Sequence, residues 1–489
     1  MKPRYLFPAF LLLILLLLLP TGIKARSVET TFASTQTSFI YEPLKDLDQE
    51  IEEAIADAVM PGAVLLITKD GKKKKFTAYG YAAKYKDDQF TEMEQPQVMK
   101  EHKLFDMASI SKLYTAVAVM QLWDEGLFEL EDPVYWYIPE FAIHDKRSVT
   151  IQQLLTHTSG FAASPSKRLY EIDGNRADRL DLVLRESLHQ LPDTEYIYSD
   201  VNYITLGILI ERLSGDRQDQ FIAKHITEPM GLKNTMYNPP ASLKHRIAAT
   251  EYQPWTNRGL VWGSVHDENA WALDGVAGQA GIFTNAEDLA VFAQMILNNG
   301  THKEKRILSE EAVNLMNMNW NKAYSGQDHG LGWDLNQDWY MDNLAETDTM
   351  GHTGYTGTSI VVSPTKHTIV ILLTNRVHPT RNTVSTNPIR KLVSERTANA
   401  IYSSSAENMK ELVERFLNRE ELDMAVAIPI QRHLTVIHHY EDKHKREKVL
   451  KHLNGYVQLI KILEKNGKMS KNVYDDLQRT ANYLYEKWQ

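Results

Sequence analysis

The chain has 489 residues, 43% of them hydrophobic and 24% charged, a balance that fits folded globular domains and excludes wholesale disorder, collagen or a continuous coiled coil. Its 54 basic and 63 acidic side chains leave a net charge of −9, without the clustered positive field that neutralising phosphates demands, so nucleic acid is not expected as a partner. Cysteine is absent, which removes disulfides, thiolate zinc sites and a cysteine nucleophile together.

Lys2 and Arg4 precede an apolar run from Tyr5 to Leu19, interrupted by Pro8 and closed by Pro20. The run is shorter than the roughly 20 residues a membrane-spanning helix needs. Followed by Ile23-Lys24-Ala25, it predicts an export signal over 1–25, cleaved after Ala25, with an uncleaved anchor as the alternative. Either way the body is expected outside the membrane, secreted or in the cell envelope, touching lipid only through this segment. Residues 26–40, rich in Ser and Thr, read as a linker.

Leu47, Ile51, Ile55 and Val59 recur at spacing four and predict a helix over Leu44–Val59, stopped by Pro61-Gly62. Ala63–Thr68, the turn Asp70-Gly71 and Lys74–Tyr81 predict a β-hairpin. Lys72–Lys75 could attract a polyanion, but lysines on a solvated edge that discourage strand addition explain them more simply. Residues from about 110 to 250 read as mostly helical, with Thr150 and Gln153 set as a capping box before Ile151–Leu155. Strand patterns return at Gly332–Leu335, Thr358–Ser363 and Thr368–Thr374, with Pro364 at a turn. A hairpin, a helical stretch and then strands predict one discontinuous α+β domain over 41–400, its antiparallel sheet flanked by helices and its helical lobe inserted at about 125–250. The charged, glycine-poor residues 401–489 read as a C-terminal helical extension: Leu453, Val457, Ile460 and Leu463 share one face, and Val473, Leu477, Leu484 and Trp488 mark a last helix opened by Ser470.

Serine is a weak nucleophile unless a base takes its proton. A lysine three residues later on a helix projects from the same face. Ser-x-x-Lys alone is weak, since about two chance matches are expected in a chain this long, and three occur. Ser164–Lys167 and Ser363–Lys366 contain prolines and precede no apolar helix. Ser109-Ile110-Ser111-Lys112 instead opens an apolar stretch through Leu113, Val117, Val119, Leu122 and Trp123, ending near Gly126. Such a helix would be buried on most sides. Desolvation there is expected to draw Lys112 toward basicity, and the helix N-terminus to favour an oxyanion. The plainer reading makes Ser109 a helix cap.

Two later segments decide between these. Tyr198-Ser199-Asp200 follows Ser109 by 89 residues, and His352-Thr353-Gly354 follows Tyr198 by 154, just before the late hairpin. With the three segments in this order, residues 40 to 400 resemble the serine β-lactamase and penicillin-binding-protein superfamily, above all its class C β-lactamases and related esterases and peptidases. Leu154-Leu155-Thr156-His157-Thr158-Ser159-Gly160 and Asn202-Tyr203-Ile204-Thr205-Leu206-Gly207 agree with it. The resemblance implies a β-lactamase/transpeptidase-like fold that needs no metal or cofactor. It implies Ser109 as the acylated nucleophile, with Lys112 and Tyr198 sharing its proton. Tyr198 is then the better base or leaving-group acid, the N–H groups of Ser109 and Tyr355 form the oxyanion hole, and His352 orients substrate with Thr353 and Gly354 and supports Tyr198 electrostatically.

Two departures narrow the substrate. Asp200 stands where the family has Asn, so a donor becomes a carboxylate; His352 stands where β-lactamases have lysine, so the permanent cation is lost. Strong β-lactamase activity is not expected. Gly263-Ser264-Val265-His266-Asp267-Glu268-Asn269-Ala270, the Gly275–Gly281 segment, Gly351–Ser359 and Leu373-Thr374-Asn375-Arg376-Val377-His378-Pro379-Thr380 resemble the murein-recovery branch, which includes secreted N-acetylmuramoyl-L-alanine amidases. Gln279, where histidine is expected, is a mismatch. Peptidoglycan fragments are the implied substrates. The rivals are a D-aminopeptidase or D,D-carboxypeptidase, a carboxylesterase, and a non-catalytic wall-binding module that keeps the fold.

His266 and Asp267 are expected either to line the substrate cleft or to fix a loop as a hydrogen-bonded pair. His157 is expected to hold a turn. His433, His438, His439 and His444 lack a His-Glu-x-x-His spacing and read as a solvated helix face. Trp255, Trp262 and Trp271 could stack on sugar rings, but loop anchoring explains them more simply.

Overall fold

The structure, a computed structural model, describes residues 39–489; the predicted export signal and nearly all of the predicted linker lie outside the described residues. The spacing-four apolar residues form helix α1, Glu42–Ala56. It ends three residues before the predicted boundary because Ala58 turns left-handed, φ 58°. The hairpin is β1, Gly62–Lys69, and β2, Lys72–Tyr85, followed by β3, Glu92–Val98. β3 was not foreseen: its polar Glu-Met-Glu-Gln-Pro-Gln-Val has no alternating apolar face, and its proline is tolerated because the strand lies at the sheet edge. β3 pairs only with Tyr81–Tyr85 of β2. The Lys72–Lys75 half of β2 is left as an edge, where Lys75 pairs with Asp48 at 2.6 Å.

Helix α2, Ser111–Asp124, is buried except at Gln121, Trp123 and Asp124. The capping box at Thr150 and Gln153 opens a short helix, Ile151–Leu155, with both reciprocal bonds formed. The stretch between it and α3, Asp200–Ser214, is largely loop apart from the helix Arg176–Leu184, which corrects the expectation of a mostly helical region. After α4, Ala286–Leu297, the remaining strands of the main sheet are β4, Asp334–Leu335, β5, Met350–Thr353, β6, Ser359–Ser363, and β7, Thr368–Thr374. Five helices close the chain: α5, Asn387–Tyr402, α6, Ala406–Asn418, α7, Met424–Asp442, α8, Arg446–Lys465, and α9, Lys471–Trp488, which Ser470 caps.

The seven strands form one antiparallel sheet in the order β4-β5-β6-β7-β1-β2-β3. Side chains alternate across a strand, and the sequence uses both faces. Val64, Leu66, Ile360, Ile369 and Ile371 pack with α2 and the helical lobe. Leu65, Ile67, Val361, Val370 and Leu372 pack with α1 and α5. The C-terminal helices share that second core through Met409, Leu434, Leu453 and Leu477, and Arg415 donates to Asn343 Oδ1 at 2.7 Å. The histidines of α7 and its following turn are half-buried or exposed. Among the described residues no helix is long and apolar enough to cross a membrane.

His378 ties the end of β2 to a loop. Its Nδ1 donates to Thr250 O at 2.9 Å, while Nε2 accepts from the backbone N–H groups of Lys84 and Tyr85 at 2.9 and 3.0 Å. Burial pushes its pKa down to about 4. The unfolded chain therefore binds the proton first, so stability present above the unfolded value of about 6.5 is lost as pH falls toward 4. The loss is expected to be about 3 kcal/mol. Urea midpoints at pH 7.5 and 4.5 should separate more for the wild type than for His378→Gln; equal separations would count against this assignment.

Candidate active site

Ser109 lies in a single 3-10 turn, Ala108–Ile110, leading into α2. The turn is strained at Ala108, φ 46°, and is held from both sides. Asp106 Oδ1 accepts from Ala108 N at 2.8 Å, and Asp106 Oδ2 from His266 N at 2.6 Å. From the β5–β6 turn, Thr356 Oγ1 donates to Asp106 O at 2.8 Å and Thr358 Oγ1 to Met107 O at 3.3 Å. Gly354 is required where the two segments meet, because a Cβ there would come within 2.1 Å of Thr358 Oγ1 and 2.6 Å of Met107 O. The first and third motifs are thus joined by hydrogen bonds from threonine hydroxyls to backbone carbonyls.

Lys112 follows one turn later on α2 and is fully buried. Its Nζ donates to Ser109 Oγ at 3.2 Å, to Asp200 Oδ1 at 2.8 Å and to Gln279 O at 3.3 Å. Asp200 is thereby a counter-ion. The buried lysine is held in an ion pair, and the carboxylate that replaces the family's amide accepts where the amide would also donate. Gln279 contributes its backbone oxygen; its side chain lies 3.4 Å from Asp267.

Tyr198 flanks this pair, with Lys112 Nζ 4.7 Å from its ring centre. Its Oη is buried and has no hydrogen bond within 3.5 Å. Burial first, and the Asp200 charge second, raise its pKa well above 10, with only the Ser109 hydroxyl pulling down among its nearest influences, so the phenol is neutral at physiological pH. His157 positions it: Nδ1 accepts from Ser199 N at 3.0 Å, and the two rings lie 4.6 Å apart.

His352 sits 6.1 Å from Tyr198, ring to ring. Its Nδ1 is 2.8 Å from Thr353 O and must donate there, which leaves Nε2 as an acceptor. Burial, reinforced by Lys112, pushes its pKa down to about 3. The ring is therefore neutral and can only accept a hydrogen bond, so any support it gives Tyr198 comes from a lone pair and not from a cation.

Ser109, Tyr198, His352, Thr353, Gly354 and Tyr355 line one open cleft of about 430 Å³. The Tyr355 N–H makes no backbone hydrogen bond among the described residues. His266 and Asp267 stand behind this cleft instead of lining it, which corrects the first of their two expected roles. His266 Nε2 lies 2.9 Å from Glu251, and its ring stacks under Tyr355 at 5.8 Å. Asp267 caps the helix Glu268–Ala272, and burial next to Asp200 raises its pKa to about 6. Trp262 anchors a loop through Nε1 to Ile247 O at 2.8 Å; Trp255 and Trp271 are exposed under Arg381 and Arg258. Of the other Ser-x-x-Lys matches, Ser164–Lys167 lies in an exposed loop, and Lys366 pairs with Glu411 at 2.8 Å.

The cleft also holds Arg376, from the Leu373–Thr380 string, and Tyr196, Asp334 and Arg390, which the sequence did not point to. Arg390 donates to Gly354 O and Thr358 O at 2.7 and 2.9 Å and so braces the same turn. Its place three residues after Asn387 on α5 carries no motif.

The chain matches the Beta-lactamase family over residues 47–395 and the FIMAH domain over residues 406–486. The chain belongs to the Beta-lactamase family. It is a serine hydrolase of the β-lactamase-like superfamily. Over 380 residues it is 33% identical to a putative D-alanyl-D-alanine carboxypeptidase of Escherichia coli, covering 72% of this chain and 86% of the relative. It is 31% identical over 414 residues to an N-acetylmuramyl-L-alanine amidase of Bacillus subtilis, covering 77% and 92%. The fold is shared with EstCE1, a hydrolase with promiscuous acyltransferase activity (TM-score 0.57, 22% identity, 72% and 98% covered). It is shared too with the octameric penicillin-binding protein homologue from Pyrococcus abyssi (TM-score 0.55, 22% identity, 75% and 81% covered).

Proposed function

We propose that the protein is an exported hydrolase of peptidoglycan fragments that cleaves the amide between muramic acid and L-alanine through a Ser109 acyl-enzyme. The observation that carries this reading is a serine hydroxyl open to a cleft, 3.2 Å from a buried ammonium that is itself paired with a carboxylate. Ser109 Oγ attacks the lactyl carbonyl as Lys112 gives a proton to Asp200 and takes the serine proton in its place. The N–H groups of Ser109 and Tyr355 receive the oxyanion. The neutral Tyr198 phenol protonates the leaving L-alanine nitrogen; the resulting phenolate takes a proton from the attacking water, and Asp200 returns its proton through Lys112 to Ser109 Oγ as the muramyl acid leaves. A neutral His352 in place of a fixed cation suits an amide substrate better than an anionic β-lactam. The Bacillus relative's name favours this bond; the Escherichia relative's name keeps release of terminal D-alanine as the second reading. The unit that does this chemistry is taken as residues 41–400, with 401–489 as a helical extension.

Incubating the purified protein with MurNAc-L-Ala-D-Glu should release free MurNAc, read by mass spectrometry. Release of D-alanine from a pentapeptide in its place would favour the carboxypeptidase, and neither product the binding module. Because the nucleophile is a side-chain hydroxyl, turnover should survive EDTA; a loss that zinc restores would overturn the proposed route.

A further inference from the structure

Asp334 occupies an unusual position for a carboxylate. It sits on β4, paired with Gly351 of β5 beside His352, and it lines the Ser109 cleft although its side chain is only 17% exposed. Of the other acids around the site, Asp200 has Lys112, Glu251 has Arg381 and His266, and Asp106 accepts from two backbone N–H groups. Asp334 has no lysine or arginine within 4 Å among the described residues; His329 lies 3.7 Å away, and the Lys112 charge acts from farther off. That imidazole gives nothing. Its Nδ1 lies 2.6 Å from Gly330 O and donates there, so Nε2 presents a lone pair. Burial also pushes its pKa down to about 4. The single donor to Asp334 is Tyr340 Oη, at 3.2 Å to Oδ2.

A second acceptor faces the same cleft. His352 Nε2 is buried without a hydrogen-bond partner, its Nδ1 being spent on Thr353 O. The cleft therefore offers a carboxylate and an imidazole lone pair beside the aromatic ring of Tyr196, and its two guanidinium groups hydrogen-bond elsewhere, Arg376 to Arg381 O and Arg390 to Asn387, Gly354 O and Thr358 O. Leaving such groups unpaired is costly. An ammonium has three donors and no acceptor, and it is attracted to aromatic faces.

We propose that Asp334 is a specificity-determining residue that receives a primary ammonium group of the substrate, such as the side-chain amine of a diamino acid in a stem peptide. The proposal rests on the reading of the Ser109 cleft as the substrate site and deepens it by naming a charged group the substrate must carry. Desolvation raises the Asp334 pKa to about 7, so an ammonium should be held best above pH 7, where the carboxylate is charged, and lose its hold as pH falls.

The test is binding to the full-length Ser109→Ala protein, measured by calorimetry with three ligands. These are MurNAc-L-Ala-γ-D-Glu-L-Lys, its Nε-acetyl form, and L-Ala-γ-D-Glu-(Nε-acetyl)-L-Lys, which carries only an α-ammonium. At pH 8 the free side-chain amine should bind about tenfold tighter than its acetylated form or better, the size of a hydrogen-bonded charge. Asp334→Asn, which keeps an acceptor for Tyr340, should erase that difference, and the preference should fade below pH 7. Tightest binding of the third ligand, lost in Asp334→Asn, would assign the ammonium to a peptide N-terminus. Equal binding of the free and acetylated forms with weak binding of the third ligand, a preference that persists in Asp334→Asn, or no binding of any ligand would overturn the proposal. Fluorophosphonate labelling of Ser109 in the Asp334→Asn single variant checks that the site is folded. Ammonium preference without MurNAc release by the wild type would sink the amidase reading alone; MurNAc release without the preference would sink this one alone.

Discussion

Ser109→Ala is expected to abolish fluorophosphonate labelling and to lower amide hydrolysis by at least about a thousandfold. The size follows from what remains. Without Oγ no acyl-enzyme can form, and the cleft keeps only its N–H donors and its grip on substrate, which give residual catalysis over water but not a second nucleophile. The rival serines offer no rescue, since Ser363 ends a strand and its Oγ accepts from Lys366 N at 3.2 Å. Folding should be unaffected, because Ser109 Oγ accepts one bond from Lys112, which keeps Asp200 and Gln279 O as partners. Labelling with mass-spectrometric mapping and initial rates on the same preparation check both statements. A variant that still labels elsewhere in the cleft, or that keeps more than a few per cent of the rate, would place the nucleophile in another residue.

What made Ser109 legible was local. The helix behind it is apolar on every side, a pattern that only a buried helix tolerates, and its first turn carries two polar residues such a helix would not otherwise retain. The chain order of three short segments then did what no single Ser-x-x-Lys could. The hairpin was equally local, written in Asp70-Gly71 between apolar runs, and so were the C-terminal helices, whose buried Leu453, Ile460, Leu477 and Leu484 follow the helical period.

Illegible features depend on pairing across distance. β3 has no alternation because its side chains are largely exposed or half-buried. The strand pattern at Gly332–Leu335 is local, but its pairing, Leu335↔Met350 and Asp334↔Gly351, is not, so nothing in the sequence marks Asp334 as lining the Ser109 cleft. The departure at Asp200 was visible, but its meaning was not: a carboxylate in place of an amide reads as a lost donor until Lys112 is seen 2.8 Å away. His266 and Asp267 illustrate the reverse error. Two polar residues in a family-like loop invite a substrate role, whereas their partners, Glu251, Asp106 and the helix Glu268–Ala272, make them the support beneath Tyr355.

The Lys112–Asp200 pair carries the last prediction, because its two ends are unequally exposed. Lys112 is fully buried, whereas the Asp200 side chain is 27% exposed. Asp200→Ala strands an ammonium with no route to water and is expected to cost about 3–5 kcal/mol of stability. Lys112→Met leaves a carboxylate that can turn toward solvent, so its cost should be nearer about 1–2 kcal/mol. The double variant Lys112→Met/Asp200→Ala removes both charges and should recover most of the Asp200→Ala loss, returning to within about 1 kcal/mol of Lys112→Met. Urea midpoints of the four proteins at pH 7.5 measure the cycle. All three variants should lose hydrolysis, since each breaks the proton path from Ser109 Oγ. Stability recovered in the double variant without any recovered turnover is the signature of a pair kept for chemistry. Equal losses from Asp200→Ala and Lys112→Met would mean that Lys112 reaches water in solution, and Ser109 would then need a different base.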